Sequence, residues 1–210
     1  MKKQAKHKHI KMGWVRTEPK PAYFSSDFEV LNYDGSQAQK NAFYLIWNGK
    51  RGTKEEIDKT FFRYFENRED CVPVKDLFFV KLKGEYIGTV TAIYHPKNSL
   101  GHIHCLALKE KYRGKRLSYP LMYLAMKKIY DDGAKYAYLL TDDWRKPAIK
   151  VYANLKFFPV MDEFWPHKKK QLLRKWKKIY EELKLEDFKM LNKNYKLKDY
   201  TGFFEKVLKM

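Results

Sequence analysis

Apolar side chains recur along this chain at two spacings, each marking a different kind of element. From Leu117, apolar residues return at Leu121, Met122, Leu124, Ala125 and Ile129, three and four positions apart, which predicts a helix with one apolar face. Pro120 has no N–H and is tolerated only where that donor would be unpaired, so the helix is expected to start near Arg116 or Leu117. Ahead of it, His102–Leu108 reads as an apolar strand opened by Gly101. The loop between them, Tyr112-Arg113-Gly114-Lys115-Arg116, is basic and leads directly into the helix start. Backbone N–H groups and the positive end of the helix dipole converge there with three cationic side chains, which suits a phosphate or diphosphate.

The same two periods organise the rest of the chain. Phe28 to Tyr33 alternates as a strand before a turn at Asp34-Gly35, and Ala38, Ala42, Leu45 and Ile46 predict a helix ending at Asn48-Gly49. Thr53 with Glu56 three residues on fits a capping box, followed by Ile57, Phe61 and Phe65 on one helical face. Leu77–Lys83 and Tyr86–Tyr94 read as strands joined across Lys83-Gly84-Glu85, a hairpin signal. Tyr136 to Thr141 reads as one more strand. Beyond Val160, Lys168-Lys169-Lys170 opens a helix carrying Leu172, Trp176, Ile179 and Leu183 as a stripe, and Phe203, Phe204, Val207 and Leu208 suggest a last one. That stripe fits docking on the protein's own core, or on a partner or membrane surface. Residues 1–27 are polar, basic and interrupted by Pro19 and Pro21; they are expected to form a loosely held arm, with Trp14 and Tyr23-Phe24 as anchors. The expected organisation is therefore an arm over 1–27, one domain over 28–165, and a basic helical extension over 166–210 packed on that domain.

Composition changes this picture in two ways. A chain of 210 residues with 44% hydrophobic and 17% aromatic residues buries a substantial core. A formal charge of +19 draws polyanions, yet no nucleic-acid motif accompanies it, and a lysine-rich solvated surface explains it equally well. Cys71 and Cys105 lack the paired spacing of a zinc site or disulfide framework, and His7 and His9 lie among lysines, so no metal is expected. Met1 to Lys20 lacks the 7–15-residue apolar stretch of a secretory signal, and no run approaches the ~20 residues of a membrane span; the cytoplasm is the expected location.

At the loop and its flanks the sequence resembles a known family. Leu106-Ala107-Leu108, Tyr112-Arg113-Gly114-Lys115 and the helix from Leu117 resemble the acyl-CoA-binding core of the Gcn5-related N-acetyltransferases. Downstream, Asp142-Asp143, Pro147-Ala148-Ile149 and Val151-Tyr152, closing on Phe157-Phe158-Pro159-Val160, resemble the family's second helix and following strand. The resemblance covers roughly Asp76 to Val160. It departs at Arg116 and Ser118, which replace glycine or a small residue, at Arg145, which replaces an asparagine, and at Lys156, which replaces the glycine of a Gly-Phe ending. Arg116 reads equally as an added phosphate ligand or as an obstruction.

The resemblance implies an α/β fold with a mixed, mostly antiparallel central sheet, a splayed strand pair and flanking helices, here with a C-terminal helical extension. It implies transfer of acetyl from acetyl-CoA to a primary amine by direct attack in a ternary complex. The acceptor stays open among a small amine, an amino acid and a protein amine, as does the oligomeric state. Backbone around Leu106, Ala107 and Leu108 would hold the pantetheine arm and thioester, while Arg113, Gly114, Lys115, Arg116, Leu117 and Ser118 would hold the diphosphate. Tyr152 falls where the family often carries the acid that protonates the departing sulfur, the alternative being a packing tyrosine. His102 falls near a glutamate that some members use as base; it reads otherwise as a hydrogen-bonded strand histidine. Strand alternation places His102 and His104 on one face with Leu106 and Leu108. Asp142, Asp143, Asp162 and Glu163 would hold a cationic acceptor, or Asp142 or Asp143 would cap the next helix. The rival class is a non-catalytic module of this fold binding nucleic acid or an acidic partner.

Overall fold

A computed structural model describes residues 9–161, 169–185 and 189–199. Its elements in chain order are β1 (His9–Val15), β2 (Phe28–Asn32), α1 (Gln37–Asn48), α2 (Lys54–Phe61), α3 (Pro73–Asp76), β3 (Leu77–Leu82), β4 (Glu85–His95), β5 (Leu100–Leu108), α4 (Ser118–Asp131), β6 (Tyr136–Asp142), α5 (Lys146–Asn154), β7 (Phe158–Met161), α6 (Lys169–Leu183), β8 (Lys189–Asn192) and β9 (Leu197–Asp199). They belong to two compact units, Arg16–Ala137 and Met1–Val15 with Tyr138–Met210. Asp162, Glu163 and the helix expected from Phe203 lie outside the described residues, and among the described residues no helix is long and apolar enough to cross a membrane.

In the Arg16–Ala137 unit, β2, β3, β4 and β5 form an antiparallel run. Local chemistry dictates its corners. Leu82 pairs with Glu85, leaving Lys83 and Gly84 as a two-residue turn with φ of 49° and 78°, the all-positive geometry that matches strand twist. Gly49 closes α1 at φ 72°, and Thr53 and Glu56 exchange both bonds of the capping box at the start of α2. Phe43, Phe61, Phe65, Phe79 and Ile93 form the core between the helices α1 and α2 and one sheet face. The other face carries α4, which lies on β4 and β5 through Leu121, Met122, Ala125 and Ile129.

The central strand departs from simple alternation. Thr91 pairs with His104 but Thr89 pairs with Ala107, so β5 carries an extra residue against Val90, and Cys105 there adopts φ 50°. Such a bulge reverses the parity of everything beyond it. His102, His104 and Ala107 consequently share the α1–α2 face with Ile93, Thr91 and Thr89. Leu108 falls on the α4 face, where a Cβ at its partner Gly88 would stand 2.8 Å from the Leu108 side chain and 3.2 Å from Leu121. The expectation that Leu108 shares the histidine face is corrected by this one inserted residue.

In the other unit the strands follow the order β6-β1-β7-β8-β9, with β7 and β8 parallel. His9–Val15 is a strand with Ile10, Met12 and Trp14 buried, in place of the loose arm expected there. The stripe of α6 is buried within this unit: Leu172, Trp176 and Ile179 are solvent-excluded, and the helix meets α5 and β7. Both helices end alike. Phe157 N–H bonds Tyr152 C=O and Lys156 N–H bonds Ala153 C=O, while Leu185 bonds Tyr180 and Lys184 bonds Glu181. These are Schellman closures whose left-handed position ordinarily holds glycine, yet here it holds Lys156 (φ 64°) and Lys184 (φ 51°). A side chain in that conformation costs about 1–2 kcal/mol.

Gly101 sets how closely α4 lies on β5, since a Cβ there would stand 2.8 Å from Ile129 Cδ1 and 3.2 Å from Ala137 Cβ. Gly101→Ala is expected to destabilise the protein by about 1–3 kcal/mol in urea unfolding. Adding Ile129→Val, which removes the Cδ1 atom, is expected to recover part of that loss.

Candidate functional site

The loop from β5 to α4 is shaped by two positive-φ residues. Gly114 has φ 76° with open space where a Cβ would stand, and Arg116 has φ 60°. Arg116 thus follows the backbone path that a glycine would take, with its side chain exposed. The helix begins at Ser118 with Leu117 as N-cap, one residue beyond the expected start. It has no side-chain cap, no acidic residue in its first turn, and no N–H at Pro120. Its positive end therefore faces the loop unneutralised, beside Arg113, Lys115 and Arg116. Arg113 Nε donates to Leu108 C=O at 3.1 Å, tying the loop back to the strand end.

Glu85, at the tip of the β3–β4 hairpin, anchors the approach to this loop. Its carboxylate accepts from Lys109 Nζ at 3.0 Å, Lys111 Nζ at 2.7 Å and Tyr112 Oη at 2.8 Å. Those three donors, Lys111 foremost, hold its carboxyl down to about 2. No sequence spacing marks Glu85 for this role, because a hairpin-turn residue meets the loop only through strand pairing.

His102 is buried on β5. Burial, then His104 and Arg68, push its imidazole down to about 3, and burial with Arg68 pushes His104 down to about 4. Arg68 Nη2 stands 3.3 Å from His102 Nδ1, and the same guanidinium grips Asp70 through Nε at 3.0 Å and Nη2 at 2.7 Å. Asp70, His95 and His102 offer ligand atoms within 4.8 Å of one another, a set suited to a metal ion. Arg68 already supplies the cation between Asp70 and His102.

Tyr152 is buried on α5, fixed by the Schellman closure and by Phe157 at a ring-centroid distance of 6.3 Å. Burial pushes its phenol up to about 12. Nearby carboxylates are otherwise engaged: Asp142 pairs with His9 at 3.0 Å and Arg145 at 3.2 Å, and Asp143 pairs with Lys175. Arg145 is the N-cap of α5 and no side chain caps that helix, so neither aspartate has the capping role considered for it.

The model of the Acetyltransferase (GNAT) family matches residues 39–157, more than half of the chain, and the chain belongs to that family. No curated protein is matched. Solved structures share the fold. A GCN5-related N-acetyltransferase from Sphaerobacter thermophilus superposes with a TM-score of 0.55 at 14% identity, over 72% of this chain and 48% of that one. A tandem GNAT protein from the clavulanic acid biosynthesis pathway gives 0.58 at 14% identity, over 73% and 50%. A functionally unknown conserved protein from Staphylococcus epidermidis gives 0.50 at 9% identity, over 72% and 57%. The chain spans about half the length of the first two of these structures.

Buried His102 and half-buried His104 make acid stability a measurable property of the site. Their folded values lie below the ~6.5 of a free imidazole, so the unfolded chain takes up protons first as pH falls. Their contribution is complete above pH ~6.5 and is lost toward pH ~3, at up to about 1.4 kcal/mol per pH unit for each histidine. Urea midpoints measured from pH 7 to 4 are expected to fall accordingly, and less steeply in His102→Gln/His104→Gln.

Proposed function

We propose that this chain transfers acetyl from acetyl-CoA to a primary amine by direct attack in a ternary complex. The observation that carries this reading is the β5–α4 loop, where positive φ at Gly114 and Arg116, an uncapped helix start and three cationic side chains converge. Backbone donors and charge at that point fit a diphosphate. Arg113 through Ser118 would hold it, and the strand end around Leu106, Ala107 and Leu108 would hold the pantetheine arm and thioester. Arg116 and Lys156, which favour a lapsed site when read as lost glycines, both keep the left-handed backbone of a glycine. They therefore support a retained loop over a non-catalytic module.

Acetyl-CoA supplies the activated acyl group and a thiolate leaving group. Tyr152 is the acid in this reading: a phenol raised to about 12 keeps its proton across the working pH range, so its O–H stays available to donate to the departing sulfur as the carbon–sulfur bond breaks. His102 at about 3 has little basicity at neutral pH. Its role here is as a neutral hydrogen-bonding group on β5, and the attacking amine loses its proton to solvent before attack.

The reading is tested by titrating acetyl-CoA against the parent and Arg113→Ala in thermal unfolding. Ligand at ~100 times its dissociation constant is expected to stabilise the parent by ~2.7 kcal/mol, with the variant needing far more. If millimolar acetyl-CoA leaves the parent unmoved, the proposal fails. With an accepted amine in hand, Tyr152→Phe is expected to lower kcat by roughly 10²–10⁴ with little change in KM for acetyl-CoA. His102→Gln is expected to change kcat less than about tenfold, and kcat/KM is expected to rise with pH toward the amine's own pKa.

A further inference from the structure

A cleft of about 500 Å³ in the Met1–Val15 and Tyr138–Met210 unit is lined by lysines from four separate places: Lys150 on α5, Lys156 just after it, Lys184 just after α6, and Lys189 at the start of β8. Among the described lining residues there is no carboxylate. Elsewhere on the same helices the lysines are matched: Lys146 with Glu182, Lys175 with Asp143, Lys177 with Glu181 and Lys178 with Glu182. The acids of the last turn of α6 are thus held on other faces of that helix. Among the described residues, Lys150, Lys156 and Lys184 have no ion pair.

Backbone conformation singles out the same place independently. Lys156 and Lys184 occupy the left-handed closing positions of α5 and α6, where glycine is free of strain, and both line this one cleft. A lysine at a helix C-terminus balances the dipole, but that benefit is available from any position in the last turn and needs no left-handed residue. Strain kept twice around one cavity marks a site where the side chain itself is used. Phe158 and Leu197 add apolar side chains to the lining of the same cleft.

We propose that this cleft binds a nucleoside di- or triphosphate, its phosphates among Lys150, Lys156 and Lys184 and its base against Phe158 and Leu197. The volume suits a ligand of that size, and three clustered lysines with no ion pair or competing carboxylate among the described residues suit its charge. The inference stands apart from acyl transfer, because every residue it uses lies outside the β5–α4 loop.

The test is calorimetric titration of the full chain with ATP and with inorganic tripolyphosphate, in about 0.15 M salt to suppress diffuse attraction. Saturable one-to-one binding of ATP is expected, with tripolyphosphate weaker because it lacks a base. Lys150→Gln/Lys184→Gln is expected to weaken ATP by about tenfold or more. Lys177→Gln/Lys178→Gln removes the same charge from outside the cleft and is expected to change affinity less than about threefold. Lys156→Gly is expected to weaken ATP without lowering Tm, separating loss of the site from loss of the fold. Arg113→Ala is expected to leave ATP binding intact. The proposal is overturned by absence of saturable binding, by equal effects of the two double variants, by loss of ATP binding in Arg113→Ala, or by a single-stranded oligonucleotide outbinding ATP.

Discussion

One inserted residue in β5 governs how the Arg16–Ala137 unit presents its chemistry. At Cys105 the ladder with β4 slips, and the strand turns a different set of side chains to each face before and after that point. Ahead of it, His102 and His104 lie under α1 and α2; beyond it, Leu108 is aligned with α4 and its carbonyl accepts from Arg113. A strand without the bulge would swing Leu108 to the histidine face and detach the loop from the position in which Glu85 and Arg113 hold it. Bulges re-aim backbone as well as side chains, and strand ends beside reactive centres are where they concentrate.

That dependence explains what sequence reading reached and where it stopped. Signals confined to a few residues were legible: the Thr53–Glu56 capping box, Gly49 at the end of α1, the Lys83-Gly84 turn and the face of α4 all follow from local chemistry. The basic loop leading into α4 was legible for the same reason, since loop and helix start are contiguous. The bulge was not, because nothing in His102–Leu108 distinguishes an extra residue from regular alternation; only the partner strand reveals it. Nor was β1, whose short His9–Val15 run lies in a polar, basic stretch and gains its burial from strands far along the chain. Asp142 and Asp143 were misjudged as capping candidates because their partners, His9 and Lys175, are distant in sequence.

Two of the departures from the family pattern, Arg116 and Lys156, share a physical account that extends to Lys184 beyond it. Arg116, Lys156 and Lys184 are basic residues in left-handed conformation, each at a position where glycine is the unstrained choice. The backbone route is retained in all three and a positive charge is added to it. Local propensity and observed conformation conflict at these points, and such conflicts gather where a side chain serves something other than stability.

The charge of +19 is accordingly less uniform than composition implies. On α6 and at the foot of β5, lysines are matched to acids, as in Lys175–Asp143 and the pair of lysines on Glu85. Among the described residues, the cations without an ion pair include Arg113, Lys115 and Arg116 at the β5–α4 loop and Lys150, Lys156 and Lys184 in the cleft where α5 and α6 end. A diffuse positive surface attracts polyanions of every kind and is screened by salt, whereas cations held without acids around a concave site keep their selectivity when salt is raised. The long-range field of this protein therefore brings anionic ligands close, and in the readings proposed above the local backbone and shape of the β5–α4 loop and of the α5–α6 cleft would decide which of them stay.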